Sequence, residues 1–305
     1  MGVIDPLNFS ESGWWGRILS EMKVLIPILI GLLVVGCVST KHTSEGRLTP
    51  KEVAEVLAFK VGTWEVRGHV AQAGDEPLLY KATQFLDWKE KGKSIGGTIA
   101  GQFGSGPKSY YVYNMEYDQA KGVFIARFKT EGIEGVSEIV SHQTYDPITR
   151  TFHIKEVNPE PKANIRVNNT FQHVGKNKCI GKTTSFEDNK LVSSMEYTLN
   201  RIVGKNDRVR GAYEINIGGK DERMVLHDNG RGNAFINKTP RRPFIWKTYG
   251  KEVHFGFTDG DPNVDFYIYA INPDNSLTYT AVILIDGKRI DELPKEAGHT
   301  YKKIK

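Results

Sequence analysis

Phe59-Lys60-Val61-Gly62-Thr63-Trp64-Glu65-Val66 is the stretch around which the chain is organised. Upstream of it the sequence reads as a leader and one short helix; downstream it reads as strands alone. Gly62 allows two backbones to approach where a Cβ would clash. Trp64 shares a strand face with Val66 and Val70, because side chains alternate along a strand. A closed barrel needs one large side chain to plug its end, and Trp64 suits that place.

The length of 305 residues suggests about two domains. Hydrophobic residues make up 39% and charged residues 25%, an ordinary globular balance. The 31 glycines and 10% aromatics fit many short strands joined by tight turns. A net charge of +5 without a clustered basic face argues against nucleic acid. Of the two cysteines, Cys37 belongs to the leader. Cys179 is then left unpaired, a buried small hydrophobe rather than half of a disulfide.

Met22-Lys23 precedes an apolar run from Val24 to Val35, followed by Gly36-Cys37. The run falls short of the roughly 20 residues that span a bilayer. A charged start, a short apolar core and small residues at its end read as an export signal. Residues 1–37 are therefore expected to be an upstream extension and signal, with the true start at Met22. Residues 38–48 form a polar tether. Val34-Val35-Gly36-Cys37 resembles the lipobox of bacterial lipoproteins. That resemblance implies a Cys37 acylated (by palmitate, for example) after cleavage, which anchors the chain to a membrane. Val38 follows the cysteine in place of the aspartate that retains many such proteins at the inner membrane. The implied address is the cell envelope, at the outer membrane and facing the periplasm.

Residues 49–203 read as the first domain. Thr49-Pro50-Lys51-Glu52 starts a helix, with Thr49 as cap and Glu52 at the capping-box position. Val53, Val56 and Leu57 give that helix an apolar stripe to lay across a barrel opening. Strands are expected near 62–70, 78–88, 93–100, 108–117, 122–130, 135–145, 150–157, 163–174, 178–186 and 190–203. Alternation is clean on most of them and poor near 135–157. Expected inward residues include Leu78, Tyr80, Tyr111, Tyr113, Phe124, Phe128, Val167 and Phe171; Glu65, Arg67 and Lys81 fall on the opposite face. About ten sequential antiparallel strands after one helix argue for an all-β, up-and-down barrel without free edges. Residues 205–305 carry a second set of short strands and read as a smaller all-β domain. Its opening Gly211-Ala212-Tyr213 echoes Gly62-Thr63-Trp64.

On these residues the first domain resembles the lipocalin-like (calycin), nitrobindin-like barrels of bacterial proteins. These begin with a Gly-x-Trp strand and end with an arginine strand. Carried over, Gly62, Trp64 and Arg201 form the barrel signature, the Arg201 guanidinium lying on the indole. The resemblance implies a cavity for a small apolar or amphipathic ligand, bounded by Tyr111, Tyr113, Phe124, Phe128, Phe171 and His173. Some nitrobindin-like members bind haem through a late histidine. Here His173 is the residue left for that role, against its reading as a packed or rim histidine.

Enzyme chemistry has little purchase. HExxH, GxSxG, CxxC and P-loop patterns are absent. Ser105-Gly106-Pro107-Lys108 matches S-x-x-K only formally, in a glycine-rich hairpin. An enzymatic reading would rest on Gln84, Asn169 and His173. Asp259, Asp261, Asn263 and Asp265 alternate as calcium ligands do, but lack the glycine and glutamate of an EF-hand; turn chemistry alone is the favoured explanation of them. The functional expectations are a lipid-anchored binder of a small ligand, a structural or interaction lipoprotein with a filled barrel, and haem binding through His173.

Overall fold

The computed structural model of the chain describes residues 47–130, 138–158, 164–203, 208–291 and 299–304. Met22, Cys37 and the tether as far as residue 46 lie outside the described residues. Among the described residues no helix is long and apolar enough to cross a membrane.

Helix α1, Pro50–Lys60, begins at a reciprocal capping box. The Glu52 amide donates to Thr49 Oγ1 at 3.3 Å and the Thr49 amide donates to Glu52 Oε2 at 2.7 Å. Its buried stripe, Val53, Val56 and Leu57, joins the same core as Trp64, Phe124 and Phe152, so the helix covers one end of a barrel.

That barrel has ten strands: β1 (Gly62–Gln72), β2 (Leu78–Glu90), β3 (Ser94–Phe103), β4 (Ser109–Asp118), β5 (Val123–Thr130), β6 (Ile139–Asp146), β7 (Thr151–Asn158), β8 (Ile165–Gly175), β9 (Lys178–Glu187) and β10 (Lys190–Arg201). Each pairs antiparallel with the next, and β1 closes onto β10 from Trp64 opposite Arg201 to Gln72 opposite Ser193. The blurred alternation near 135–157 has a physical cause. Ser141, Gln143 and Glu156 are buried on strands whose other inward residues are apolar, so the interior carries a polar patch there. Leu78 departs from expectation. It is 55% exposed, because it opens β2 at the rim, opposite Val70.

The second domain also closes. Its strands are β11 (Gly211–Ile217), β12 (Lys220–Leu226), β13 (Arg231–Ile236), β14 (Thr239–Pro240), β15 (Phe244–Tyr249), β16 (Glu252–Phe257), β17 (Val264–Ile271), β18 (Leu277–Leu284), β19 (Arg289–Asp291) and β20 (Thr300–Ile304). The order β12-β11-β20-β18-β17-β16-β15-β13 returns to β12, which makes an eight-strand barrel with β14 and β19 as side pairings. Two junctions are narrow: β13–β15 is held by Arg231 opposite Ile245 and Gly232 opposite Phe244, and β18–β20 by Leu277 opposite Tyr301 and Thr278 opposite Thr300. Tyr213, Phe244, Trp246, Phe255 and Leu277 fill the interior.

The outward face of β1–β3 is covered by the second barrel rather than by water. Arg67 donates to Asp265 at 2.8 Å and to Glu65 at 2.8 Å. Lys81 lies 3.6 Å from Asp265, and Lys247 pairs with Glu65. Lys108 donates to the Phe257 carbonyl at 2.9 Å, and Gln102 to the Pro262 carbonyl at 2.8 Å. Beside this seam, Phe85, Ile202, Ile245 and Phe266 form a small apolar cluster across the two barrels.

Candidate functional site

The closed ends of the two barrels are built alike. Gly62 has φ +136° and Gly211 φ +138°, in the region that favours glycine. Two residues on, Trp64 and Tyr213 are buried, opposite Arg201 and Lys303 of the last strands. The Arg201 guanidinium sits 4.2 Å from the indole centroid, and Lys303 Nζ sits 5.8 Å from the Tyr213 ring. Trp64 Nε1 donates to the carbonyl four residues back, Lys60, at 2.9 Å; the Tyr213 hydroxyl donates to the carbonyl four residues back, Val209, at 2.7 Å. Arg201 also binds the Phe59 and Val61 carbonyls. A Cβ on Gly62 would stand 2.4 Å from Arg201 Nη1.

The two ends differ in what they point inward. In the second barrel Val209 is wholly buried. In the first, the corresponding residue is Lys60, whose side chain lines a cavity of about 60 Å³ measured at water centres. At roughly 10–15 Å³ of such volume per water, that is room for about five waters. Trp64, Tyr80, Tyr113, Phe128, Phe171 and Tyr197 form its aromatic wall; Lys60, Gln84, Gln143 and Cys179 are its polar members.

The electrostatics of this cavity are one-sided. Lys60 Nζ lies 4.3 Å from the ring centroids of both Phe152 and Phe171, cation–π contacts that soften its burial. No carboxylate among the described residues pairs with it. Burial is the main reason its pKa falls to about 8, and the nearby Cys179 opposes the fall slightly. Burial likewise pushes the Cys179 thiol up to about 12, so it is a thiol at neutral pH and not a nucleophile. The Gln143 amide nitrogen donates to Ser141 at 3.1 Å, while its Oε1 is buried without a partner. Further along β7, Glu156 is buried and its carboxyl rises to about 7 by desolvation alone.

Of the aromatic residues expected around a ligand, Tyr113, Phe128 and Phe171 line the cavity. Phe124 is instead fully buried between Tyr117 and Phe152, and Tyr111 lies on β4 outside the lining. His173 is part of the end packing. It stacks on Phe59 at 3.7 Å and meets Phe152 and Phe171 edge-on. Its pKa falls to about 3, first through burial and then through the charges of Lys60, Arg150 and Arg201; its Nε2 has no partner. The imidazole is off the cavity wall and the cavity is far smaller than a porphyrin, so these residues do not fit haem. Gln84 reaches the cavity, whereas Asn169 is buried opposite Thr183 with both side-chain atoms unpartnered.

The four residues with calcium-like spacing are otherwise engaged. Asp259 pairs with Arg241 at 2.9 Å, Asp261 accepts from the Asn263 amide at 2.8 Å, and Asp265 belongs to the inter-barrel seam. No cluster of metal-ligating side chains occurs among the described residues. A wider groove along β11–β13 and β20 mixes Glu214, Asp221 and Glu222 with Arg223, Lys238 and Lys302, and holds no orphaned buried polar atom. The first barrel is therefore the better candidate.

Sequence reasoning passed over Lys60 and Gln143. The signal for Lys60 was a lysine flanked by Phe59 and Val61, one turn before the plugging tryptophan. Gln143 carried no signal beyond the broken alternation around it.

Solved structures similar to the chain include the following two. The S-type phycobiliprotein lyase CPES from Guillardia theta shares 14% identity at a TM-score of 0.35, over 55% of this chain and 100% of that one. EF1p2_mFAP2b bound to DFHBI shares 8% identity at a TM-score of 0.26, over 50% of this chain and 99% of that one. No family model matches the sequence, and no curated protein matches it.

Proposed function

We propose that this chain is a lipid-anchored protein of the bacterial cell envelope that binds a small amphipathic molecule inside its first barrel. The observation that carries the binding reading is the cavity itself. An ammonium without a counter-ion and a glutamine oxygen without a donor stand among aromatic walls. Buried polar groups left unpaired are costly, and a ligand that supplies partners offsets that cost. The anchoring part rests on Val34-Val35-Gly36-Cys37 in the sequence.

A second reading, an interaction lipoprotein with a filled barrel, draws support from the small volume of the cavity. One preparation separates the two. The full chain is extracted from membranes and studied by native and intact mass spectrometry. The expected result is a chain beginning at Cys37 with acyl groups attached, carrying a non-covalent small molecule released on denaturation. A clean mass that takes up no added amphiphile would favour the filled barrel. An unprocessed chain starting upstream of Cys37 would refute the anchor.

A further inference from the structure

We propose that Lys60 is the head-group site of the first barrel and that its ligands are small carboxylates, the ammonium pairing with the carboxyl group while the tail lies on the aromatic wall. This rests on the reading of the barrel as a binding cavity and adds the chemical class of what it binds.

Three observations carry it. First, the ammonium is inside: it lies 4.3 Å from two ring centroids, those of Phe152 (fully buried) and Phe171. Second, the charge is uncompensated. Cys179 on β9 faces Lys60 as a thiol, His173 on β8 stays neutral beside Lys60 and the cations Arg150 and Arg201, and the other titratable groups of the cavity wall, Tyr80, Tyr113 and Tyr197, are held neutral by burial. Arg201 spends its donors on the Phe59 and Val61 carbonyls. An anion entering here meets positive potential and no competing acid. Third, the position needs no amine for structural reasons. The second barrel repeats the same end with a buried valine, Val209, in place of Lys60. Closure of a Gly-x-aromatic end onto a basic last strand proceeds with an apolar residue there, so the lysine serves something other than closure.

Cavity size limits the tail. About 60 Å³ at water centres admits a chain of a few carbons without movement of the wall. The probes are therefore butyrate and 1-butanol, which have the same carbon skeleton and differ in charge.

Equilibrium dialysis of both radiolabelled probes is carried out with the full chain in lipid nanodiscs, against protein-free discs as blank. At pH 7 butyrate should bind at least tenfold more tightly than 1-butanol. Lys60→Met should abolish that preference and leave 1-butanol binding within twofold. A second arm needs no variant. Between pH 7 and pH 10 the wild type should lose its preference at least tenfold, because Lys60 is the group of the cavity that titrates there: Cys179 lies near 12, His173 near 3, and burial pushes Tyr80, Tyr113 and Tyr197 well above the usual phenol range. If both probes bind equally at pH 7, or if Lys60→Met keeps the preference, the carboxylate inference is overturned while the binding cavity stands. If neither probe binds, both fall.

Discussion

Replacing Lys60 by methionine should make the unliganded protein more stable, and the size of the gain should depend on pH. Methionine keeps the length of the stem and removes the charge. The Trp64 Nε1 bond to Lys60 goes to the backbone carbonyl and survives the change. In the folded chain the Lys60 pKa is about 8, against 10.5 for a free lysine. At ~1.4 kcal/mol per unit this difference is worth about 3 kcal/mol of destabilisation while the amine is charged in both states. The two phenyl contacts return about 1–2 kcal/mol of it, and the part of Lys60 that borders the cavity is screened further. A net gain of about 1–2 kcal/mol at pH 7 is the expectation. Between pH 8 and 10.5 the unfolded chain holds a proton that the folded chain has released, so wild-type stability rises with pH through that window. The methionine variant lacks this slope, and its advantage should vanish near pH 10.5. Urea unfolding of both proteins at pH 7, 8.5 and 10, with unchanged m-values, measures the difference. A variant destabilised by more than 1 kcal/mol at pH 7, or an advantage that is flat with pH, would refute the picture of a buried, unpaired ammonium.

Gly62→Ala should cost about 3 kcal/mol or more in urea, because a φ of +136° strains any Cβ and Arg201 stands 2.4 Å from where it would go; a loss under 1 kcal/mol would mean that Arg201 is free to move. His173→Phe should flatten the acid limb of the stability curve. The folded histidine titrates near 3 and a free one near 6.5, so the wild type loses stability as pH falls through that interval, by up to about 3 kcal/mol at pH 4.5, and the variant should not. Asp265→Ala leaves Lys81 without its carboxylate and Arg67 with Glu65 alone; calorimetry should show the one heat transition separating into two, at a cost of about 2–4 kcal/mol to the joined form, and an unaltered single transition would show that the apolar cluster holds the seam by itself.

The first barrel could be read from sequence because its strands obey one rule. On β1, β4, β5 and β10 apolar side chains alternate with polar ones, and the plugging tryptophan is followed by turn signals at regular intervals. The polar interior could not be read. A buried Ser141, Gln143 or Glu156 looks in sequence like an outward residue, and only the register that sets Gln143 opposite Ile154 places it inside. The second ring was unreadable for a different reason: junctions of two residue pairs leave no pattern. Charged faces misled in the same way. Glu65, Arg67 and Lys81 have the composition of a solvated surface and are instead a packed seam. Lys60 was concealed by a familiar rule, since a lysine in the last turn of a helix complements the dipole from outside. Here α1 lies across the barrel end, and Lys60, four residues after Val56 and three after Leu57, continues the stripe that faces the interior.

Closure of the first barrel by its first and last strands sets an order on biosynthesis. Trp64 pairs with Arg201, and Val70 with Met195. When β1 leaves the ribosome, the partner for one of its edges is more than a hundred codons away. Such long-range pairing is slow and leaves an edge open to wrong partners. The cap Thr49–Glu52 acts over neighbouring residues, so the first turn of the 11-residue α1 can form early, though a helix this short is marginal alone. Its own packing partners, however, arrive with the strands. A chain stalled before residue 201 is thus a row of strands with two bare edges, and factors that hold nascent chains would find their target in that interval.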